Sequence, residues 1–560
     1  MSNTIVNDAS GSKSYDNDTK DGARTPTTHE VPSIENNADA LFKISPLYRI
    51  LPYGYSRKRM ITRGGAKFMS AVSLLMGGLT LYVSAYNLSS YGSVSTNAAL
   101  DAMLNTSDTT ISSRLLAAKQ GGITSINSFG MIVGALAGGW LTTSLGRTKS
   151  ISTALAIGCF GMALQTASQN LTWFLISRFI TGFGIGMSDS TVPTWIAEIS
   201  ATAVRGGSIA LELSFAGIGI ASAYWLGYGL SFSSNLQLGW RFIIAYPLVV
   251  YLPVCIFFSF LPESPRWLVS VGMFEEAEYV LSHLRKEDSS QELKDIIAYC
   301  EMQRQNNAQH GYLAMLFKRD HENTRRRAWL TILLQFMATF FLAYGIVVAY
   351  ASTVLGFAGY SAHKTTILVG CNAINYPLWF YVGVSLTDRV GRRALFIAGS
   401  TGAGVLMMIL GALSKYIIRQ NGNASSAAGS ALVACVFLYA AFHGFSWACV
   451  GWVYPVEIFP QATRSRGGAL SIASFSTGFT LLTMIAPYMF TSINENVFFV
   501  FGSLTLLSVP IVYCFYPETR QRTLEDIYHL FTGPIFVWQA EKHYQNVLER
   551  QRQEGEVLAA

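Results

Sequence analysis

The sequence predicts an all-α integral membrane protein with about twelve transmembrane helices in two six-helix bundles. The first observation is composition, because 51% of the 560 residues are hydrophobic and only 13% are charged. That is about half the charged fraction of a soluble domain. The second is that apolar residues form blocks of roughly 20, the length of a helix that crosses a hydrocarbon core of about 30 Å. The third is a set of motifs that recurs in the same order in both halves, which indicates a duplicated bundle.

The apolar blocks divide evenly around a polar stretch. Six precede it, at about 69–90, 121–141, 151–169, 172–196, 207–230 and 241–261, and six follow it, at about 328–355, 365–387, 394–413, 431–455, 468–490 and 497–516. The predicted domains are a disordered tail (1–67), a first bundle (68–261), a helical linker (262–327), a second bundle (328–516) and a second tail (517–560). By the positive-inside rule, the basic residues at alternate block ends place both tails and the linker in the cytoplasm.

Four short motifs make up the repeat. Each half has a Gly-Arg pair, a glutamate seven residues before an arginine, paired glycines close behind that arginine, and a Pro-Glu pair followed by a hydroxyl residue. The matching positions are Gly146 with Gly391, Glu198 with Glu457, Arg205 with Arg464, and Glu263 with Glu518. Such a repeat is typical of secondary transporters, in which the binding site lies between the halves.

These motifs resemble those of the sugar porter family of the major facilitator superfamily. The resemblance runs from about Lys67 to Ile527 and rests on LPESPRWL (261–268), DRVGRR (388–393), VYPVEIFPQATRSRGGAL (453–470), YPETRQRTLEDI (516–527) and the stretch 178–208. It implies the major facilitator fold, in which a central site is reached alternately from either side of the membrane. It also implies a cytoplasmic helical insert between the bundles.

On this fold, the acids and bases that recur at matching cytoplasmic helix ends are predicted to form a gate by pairing when that side is closed. The acids are Glu198, Asp388 and Glu457, and the bases are Arg205, Arg389, Arg393 and Arg464. The alternative is that these residues only anchor the helix ends. Where the second half reads DRVGRR, the first reads TSLGRT, with Thr143 and Thr148 in place of two charges. We therefore expect the first-half gate to be looser.

The residues that could couple transport to protons lie in predicted helices one, four and five. Proton-coupled family members have an aspartate in the first helix that faces the arginine matching Arg178, whereas this chain has Asn87, as facilitative members do. Asn cannot ionise, so the resemblance favours uniport. Proton symport stays open through Asp189 and Glu212, because carboxyl groups inside the membrane are costly and usually functional. The alternatives are that each carboxyl is neutral or paired with Arg178.

Most of the amides with which the family grips sugars are absent. A gap-free alignment places Thr339 where helix seven should carry a glutamine, and Leu213 where helix five should carry another, while Trp452 matches the family tryptophan. The predicted substrate-binding residues are Glu212, Gln335, Thr339, Tyr344, Asn372, Asn375 and Trp452. Each amide has the alternative role of an interhelical hydrogen bond. A pocket with more aromatic groups and fewer amides favours a substrate larger or less hydroxylated than glucose, or weak sugar binding.

The preferred function is a carrier that moves a sugar or related polyol across the plasma membrane, and the alternative is a sugar receptor on the same fold. An enzyme is not expected, because no nucleophile–base pair or phosphate loop stands where water would reach it. No cofactor or metal is predicted, since the seven cysteines lie singly. The expected partners are the solute, membrane lipids and, for symport, protons. The net charge of +7 is assigned to topology and lipid headgroups and not to nucleic acid.

Overall fold

The structure is a computed structural model. It describes residues 65–95, 97–106, 112–200, 205–285, 289–305, 311–320, 322–420, 426–460, 463–520, 522 and 524–559. The predicted tail 1–67 lies almost entirely outside the described residues. Within them, the regular structure is helical.

Twelve helical segments follow the predicted blocks. The first half contains α1 (Gly65–Val94), α2 (Ser113–Leu145), α3 (Arg147–Thr166), α4 (Leu171–Ile199), α5 (Arg205–Leu230) and α6 (Leu236–Phe258). The second contains α7 (Thr324–Phe336), α8 (Ala362–Val390), α9 (Arg392–Arg419), α10 (Ser426–His443), α11 (Arg464–Ile493) and α12 (Val497–Phe515). Ten stretches of the described chain are long and apolar enough to cross a membrane, one of them covers both α11 and α12, and α3 completes the set. The predicted all-α membrane architecture is confirmed.

Four shorter helices, Pro265–Ser270, Phe274–Leu284, Ser290–Gln305 and Tyr312–Phe317, lie in the linker between the halves. The first three pack on the core of the first half, through residues such as Trp267 and Val280. The fourth packs on the core of the second half through Met315. We call the end of the bundle that carries these helices the linker end and the opposite end the distal end. The linker therefore touches both halves at one end.

Two one-residue turns begin α3 and α9 in the same way. Gly146 and Gly391 have φ angles of +92° and +104°, in the region that favours glycine. A Cβ at these positions would also lie 2.7 Å from Glu263 Oε2 and 2.6 Å from Glu518 Oε2. Glycine is therefore favoured at both positions for two reasons: the positive φ angle and the glutamate packed against the backbone.

The seventh and tenth spans are interrupted, although the sequence predicts continuous helices over 328–355 and 431–455. The seventh continues from α7 through a π-helical turn (Met337–Phe341) to Ala343, whose φ is +54°, and resumes at Tyr344. The Tyr439 hydroxyl donates to the Leu342 carbonyl, so the carbonyl freed at the break is hydrogen-bonded. The tenth has a π-helical turn at Gly444–Ala448 before Cys449–Ile458. Both interruptions lie beside the central cavity, where irregular backbone is tolerated inside a membrane protein.

Candidate functional site

A cavity of about 1080 Å³ lies between the two halves. Helices α1, α2, α4 and α5 of the first half and the seventh, eighth, tenth and eleventh spans of the second contribute to its wall. The wall is mainly apolar and aromatic, with a few polar groups that include Ser84, Asp189 and Gln335. A smaller cavity of about 390 Å³ adjoins it, with Tyr344, Tyr376 and His443 in both walls.

Asp189 of α4 faces the cavity and is bonded to α1. Ser84 Oγ donates to Asp189 Oδ2 over 2.6 Å, and the neighbouring Ser188 also interacts with the carboxylate. The side chain is 6% exposed. The predicted alternative pairing with Arg178 does not occur, because eleven residues on one helix correspond to about 16 Å along its axis.

Glu212 of α5 is fully buried and both of its carboxylate oxygens have no hydrogen-bond partner. It lies within electrostatic range of Asp189. It does not line the cavity, although the next two residues, Leu213 and Ser214, do. The structure therefore places this predicted substrate-binding residue behind the cavity wall.

Asn87 and Arg178, the predicted coupling pair, are both buried but not hydrogen-bonded to each other in the structure. Asn87 Oδ1 has no hydrogen-bond partner, and neither do Arg178 Nε and Nη1. The Arg178 guanidinium instead packs over the rings of Tyr91 and Phe174, at 5.3 and 5.9 Å from their centroids. A guanidinium over aromatic faces is stabilised without a carboxylate partner.

The predicted substrate-binding amides separate into two groups. Gln335 lines the main cavity and its Nε2 donates to the Gly451 carbonyl and to Ser471 Oγ, each at 2.9 Å. Asn372 lines only the smaller cavity. Asn375 lines neither described cavity; its Nδ2 donates to the Phe437 carbonyl over 3.0 Å, and its Oδ1 accepts from Trp379. The bond from Asn375 to Phe437 of α10 is interhelical, which is the alternative role that the sequence left open for it.

Thr339 lies at the π-helical turn of the seventh span and does not line the described cavities. Its hydroxyl donates to the Gln335 carbonyl over 3.0 Å, and its side chain packs on Gly478 of α11. Trp452 does line the main cavity, and its ring is 5.1 Å from that of Phe475. Trp452 and Thr339 are both aligned with sugar-binding positions of the family. Trp452 faces the cavity, whereas Thr339 faces a neighbouring helix.

Stacked rings at the junction of the two cavities were not anticipated from the sequence. The Tyr344 ring is stacked on His443 at 4.6 Å and on Tyr376 at 5.2 Å. The Tyr376 hydroxyl lies 3.3 Å from His443 Nδ1, and the His443 ring also interacts with the backbone of Ala338. The sequence signal that could have indicated this site is His443, because an ionisable residue inside an apolar span is rare and usually functional. The stack adds three aromatic rings to the wall of the main cavity.

At the linker end of the first half, Glu198 pairs with Arg147. Arg147 Nε and Nη2 donate to the two oxygens of Glu198 over 2.8 and 2.9 Å. Glu263 accepts hydrogen bonds from the backbone N–H groups of Arg147 and Thr148 and from the Thr148 hydroxyl. It therefore sits at the N-terminus of α3, where the helix dipole favours an anion. Burial raises the pKa of Glu263, and the hydrogen bond from Thr148 offsets part of this effect.

The second half repeats this network. Arg392 Nη2 donates to Glu457 over 2.7 Å and to Asp388 over 3.1 Å, and Glu518 accepts from the backbone N–H groups of Arg392 and Arg393. The Thr519 hydroxyl also donates to Glu457. The motif repeat in the sequence thus corresponds to a repeated charge network.

The gate acids are bonded to Arg147 and Arg392, the arginines of the Gly-Arg turns, which were not among the predicted gate bases. Pairing of the acids with the predicted bases stays a prediction. Arg464 donates to the Phe459 carbonyl, and Arg393 donates to the Tyr513 carbonyl and lies over the Tyr513 ring. Arg389 has a highly exposed side chain, and the side chain of Arg205 is outside the described part of the structure. Glu198 accepts two hydrogen bonds from Arg147, and Glu457 accepts one from Arg392 and one from Thr519, so a looser first-half gate stays a prediction. Asp388, which has no counterpart there, is 82% exposed and adds little.

The two halves touch at both ends of the cavity. At the distal end, Trp225 Nε1 of α5 donates to the Gly370 carbonyl of α8 over 3.1 Å. At the linker end, the Tyr312 hydroxyl donates to the Leu136 carbonyl of α2 over 3.0 Å, and Gly139 of α2 packs against Ala469 of α11. In the described residues, the ion pairs of the charge networks stay within one half. Contact between the halves therefore depends on close packing and on neutral hydrogen bonds.

Two six-helix halves around a shared cavity, with matching charge networks at one end, define a secondary transporter of the major facilitator fold. The family model described as sugar (and other) transporter matches residues 67–531, and the chain belongs to that family. The resemblance noted from the motifs is thereby confirmed.

Relatives and solved structures agree with this assignment. MFS-type transporter oryC of Aspergillus oryzae is 31% identical over 453 residues, which cover 78% of this chain and 83% of the relative. Sugar transporter STL1 of Saccharomyces cerevisiae is 31% identical over 428 residues, covering 74% and 72%. The structure of the proton:xylose symporter XylE with bound 6-bromo-6-deoxy-D-glucose matches with a TM-score of 0.71 at 20% identity, and covers 83% of this chain and 100% of that one. This last likeness confirms the fold.

Proposed function

We propose that this protein carries a sugar or a related polyol across the plasma membrane by alternating access. The observation that carries the proposal is the cavity between the halves, whose polar groups come from both of them. Ser84 and Asp189 belong to the first half, and Gln335, Tyr344 and Trp452 to the second. A solute that touches both halves is released when the halves rock apart at either end.

The wall of the cavity indicates which solutes fit. The polar groups suit hydroxyl groups, and the Trp452 and Tyr344 rings suit the apolar face of a sugar ring. Few amides are available, since Asn375 is bonded to the Phe437 carbonyl of α10 and to Trp379 of its own helix. The proposed substrate is therefore a sugar or polyol that binds with few hydrogen bonds and a large aromatic contact. The linker end is proposed to face the cytoplasm, together with both termini.

Uptake into cells that lack their own hexose carriers tests this function. Radiolabelled hexoses, pentoses, disaccharides and polyols are expected to compete for one saturable process that is absent from mock-transfected cells. Preloaded unlabelled substrate is expected to accelerate entry of the label, as an alternating carrier requires. Binding of a sugar without uptake or exchange would indicate the receptor alternative and contradict the proposal.

Trp452→Ala is expected to raise the apparent KM of uptake about tenfold, which corresponds to about 1.4 kcal/mol of binding free energy. The reason is that the indole ring forms part of the cavity wall, so the substitution removes one aromatic face from the site. The measurement is initial uptake rate against substrate concentration, normalised to the amount of protein at the cell surface.

Trp140→Ala is the matched control, because Trp140 is 53% exposed on the outer surface of the bundle and does not line the cavity. Its KM is expected to equal that of the wild type. An equal KM in both variants would remove Trp452 from the binding site.

A further inference from the structure

Among the described residues, Asp189 is the only carboxylic acid that lines the main cavity. Its Oδ2 accepts the hydrogen bond from Ser84 of α1 over 2.6 Å, whereas its Oδ1 has no hydrogen-bond partner. The residue is 6% exposed, so water does not surround this second oxygen. One oxygen of a buried carboxyl group is therefore left for a ligand in the cavity.

No basic side chain of the described chain compensates this acid. The cavity wall contains no lysine or arginine among the described residues. Arg178 of the same helix is eleven residues away, and its guanidinium packs over the Tyr91 ring at 5.3 Å. An ionised carboxylate that is buried without a cation loses its hydration and gains no counter-charge in return. The site therefore favours a ligand that brings a positive charge.

His443 is the other ionisable group of the wall besides the tyrosines, and it does not supply this charge. Its ring is stacked on Tyr344 at 4.6 Å, and its Nδ1 lies 3.3 Å from the Tyr376 hydroxyl. His443 Nε2 and Asp189 Oδ1 each lack a hydrogen-bond partner, so the two groups are not bonded to each other. The acid faces the cavity without a cationic neighbour.

Aromatic rings of the second half line the same cavity. They are Tyr344, Tyr376, Phe380, Trp447, Trp452 and Phe475. The face of an aromatic ring attracts a cation, most strongly in tryptophan, and more so where water is excluded. A carboxylate on one side and ring faces on the other are the two kinds of group that stabilise an organic ammonium ion.

Trp452 lies at about the depth of Asp189. Trp452 packs on an apolar cluster that contains Ala135 of α2. Gly138, about one turn further along α2, packs on Ser190 of α4, the residue next to Asp189. The acid and the indole ring therefore flank the same stretch of α2, one from each half. A solute between the halves can contact both.

We propose that the transported solute carries a protonated amine, as an amino sugar or an amino polyol does, and that its ammonium group binds between Asp189 and the aromatic wall. This inference rests on the proposed transport function and names the chemical class of the substrate. The ammonium donates a hydrogen bond to Asp189 Oδ1, while Ser84 holds Oδ2. Its charge compensates the carboxylate, which makes the bond stronger than one from a neutral hydroxyl group.

A metal ion fits this site less well than an amine. Hard metal ions take about six or more oxygen ligands. The wall of the cavity is mainly apolar and aromatic, and Asp189 is its only carboxylic acid among the described residues. An ammonium group needs fewer oxygen partners and is stabilised by the rings, so the cation belongs to the organic solute.

The wild-type carrier is tested with pairs of solutes that differ by one amine: D-glucosamine with D-glucose, and 1-amino-1-deoxy-D-sorbitol with sorbitol. Uptake is measured at a pH of about 6, where such amines are protonated, and uptake by mock-transfected cells is subtracted. In at least one pair, the apparent KM of the amine is expected to be at least tenfold lower than that of the neutral solute. Equal or lower KM values for the neutral solutes in both pairs would overturn the amine site and leave the transport function intact. Absence of uptake and exchange for all four solutes would contradict the transport function itself.

Asp189→Asn keeps the size of the side chain and removes its charge. It is expected to raise the KM of the amine at least tenfold more than the KM of its neutral partner, a ratio that a general loss of folded protein does not change. Glu495→Gln is the matched control, because it removes a negative charge at the distal turn between α11 and α12, away from the cavity. It is expected to keep the wild-type ratio. A wild-type ratio in Asp189→Asn would contradict the assignment of the ammonium to this acid.

Discussion

Arg392→Ala is expected to lower the rate of transport at least tenfold and to reduce the amount of protein at the cell surface. Arg392 is the centre of the second-half network, where it bonds to Glu457 over 2.7 Å and to the Thr387 carbonyl over 3.1 Å. Its side chain is 9% exposed and that of Glu457 is 23% exposed. Removing one partner of a buried pair leaves the other without compensation, which costs about 3–5 kcal/mol. Because Glu457 is partly exposed, we expect a loss near the lower end of this range.

The same arginine provides a matched control. Asp388 also bonds to Arg392, but the Asp388 side chain is 82% exposed, and exposed pairs contribute about 0–1 kcal/mol. Asp388→Asn is therefore expected to transport within twofold of the wild type. The measurements are the midpoint of thermal unfolding in detergent and the uptake rate per molecule at the surface. Equal effects of the two substitutions would refute the distinction between a buried and an exposed partner.

Gly139→Val is expected to stop net transport while the protein still folds. Gly139 lies where α2 meets α11 at the linker end, and a Cβ there would lie 2.6 Å from the Ala469 Cβ and against the Tyr312 hydroxyl. The added side chain acts as a wedge between the halves, because α2 and α11 pack closely at this position. We expect the linker end to stay open and uptake to fall at least tenfold.

Accessibility of engineered cysteines measures the wedge directly. Cysteines near the linker end of the cavity are expected to react faster with a thiol reagent in Gly139→Val than in the wild type, and those near the distal end more slowly. Gly122→Val makes the same change in the same helix, where a Cβ would meet nothing within 4 Å. That control is expected to transport normally. Unchanged cysteine reactivity in Gly139→Val would show that this contact does not control access.

The sequence motifs predicted which residues form the charge networks but not which of them are bonded to each other. The recurrence of Gly-Arg, Glu and Pro-Glu motifs identified the residues that build both networks, and the structure brings them together in both halves. The motifs did not indicate the partner of Glu198 seen in the structure, because that arginine lies 51 residues away in the chain. The turn at Gly146 decides this, since it starts α3 with Arg147 directed toward the end of α4.

The sequence predicted some of the residues that line the cavity but not the aromatic stack in its wall. The alignment on family positions correctly indicated that few amides remain, and Trp452 and Gln335 do line the cavity. It did not indicate the stack of Tyr344, Tyr376 and His443, because that stack depends on the interruption of the seventh span at Ala343. An alanine with positive φ has no sequence signal, and the helical pattern continues through it.

The sequence by itself determined the twelve spans, the duplication and the family, because segment hydrophobicity and recurring motifs are properties of local stretches of chain. The tertiary structure alone decided which acid meets which base, which amides face the cavity, and that Asp189 lines the cavity whereas Glu212 lies behind its wall. These facts depend on the rotation of each helix about its axis and on its depth in the bundle. Packing between helices sets both, through contacts such as those of Gly77, Gly78 and Gly219.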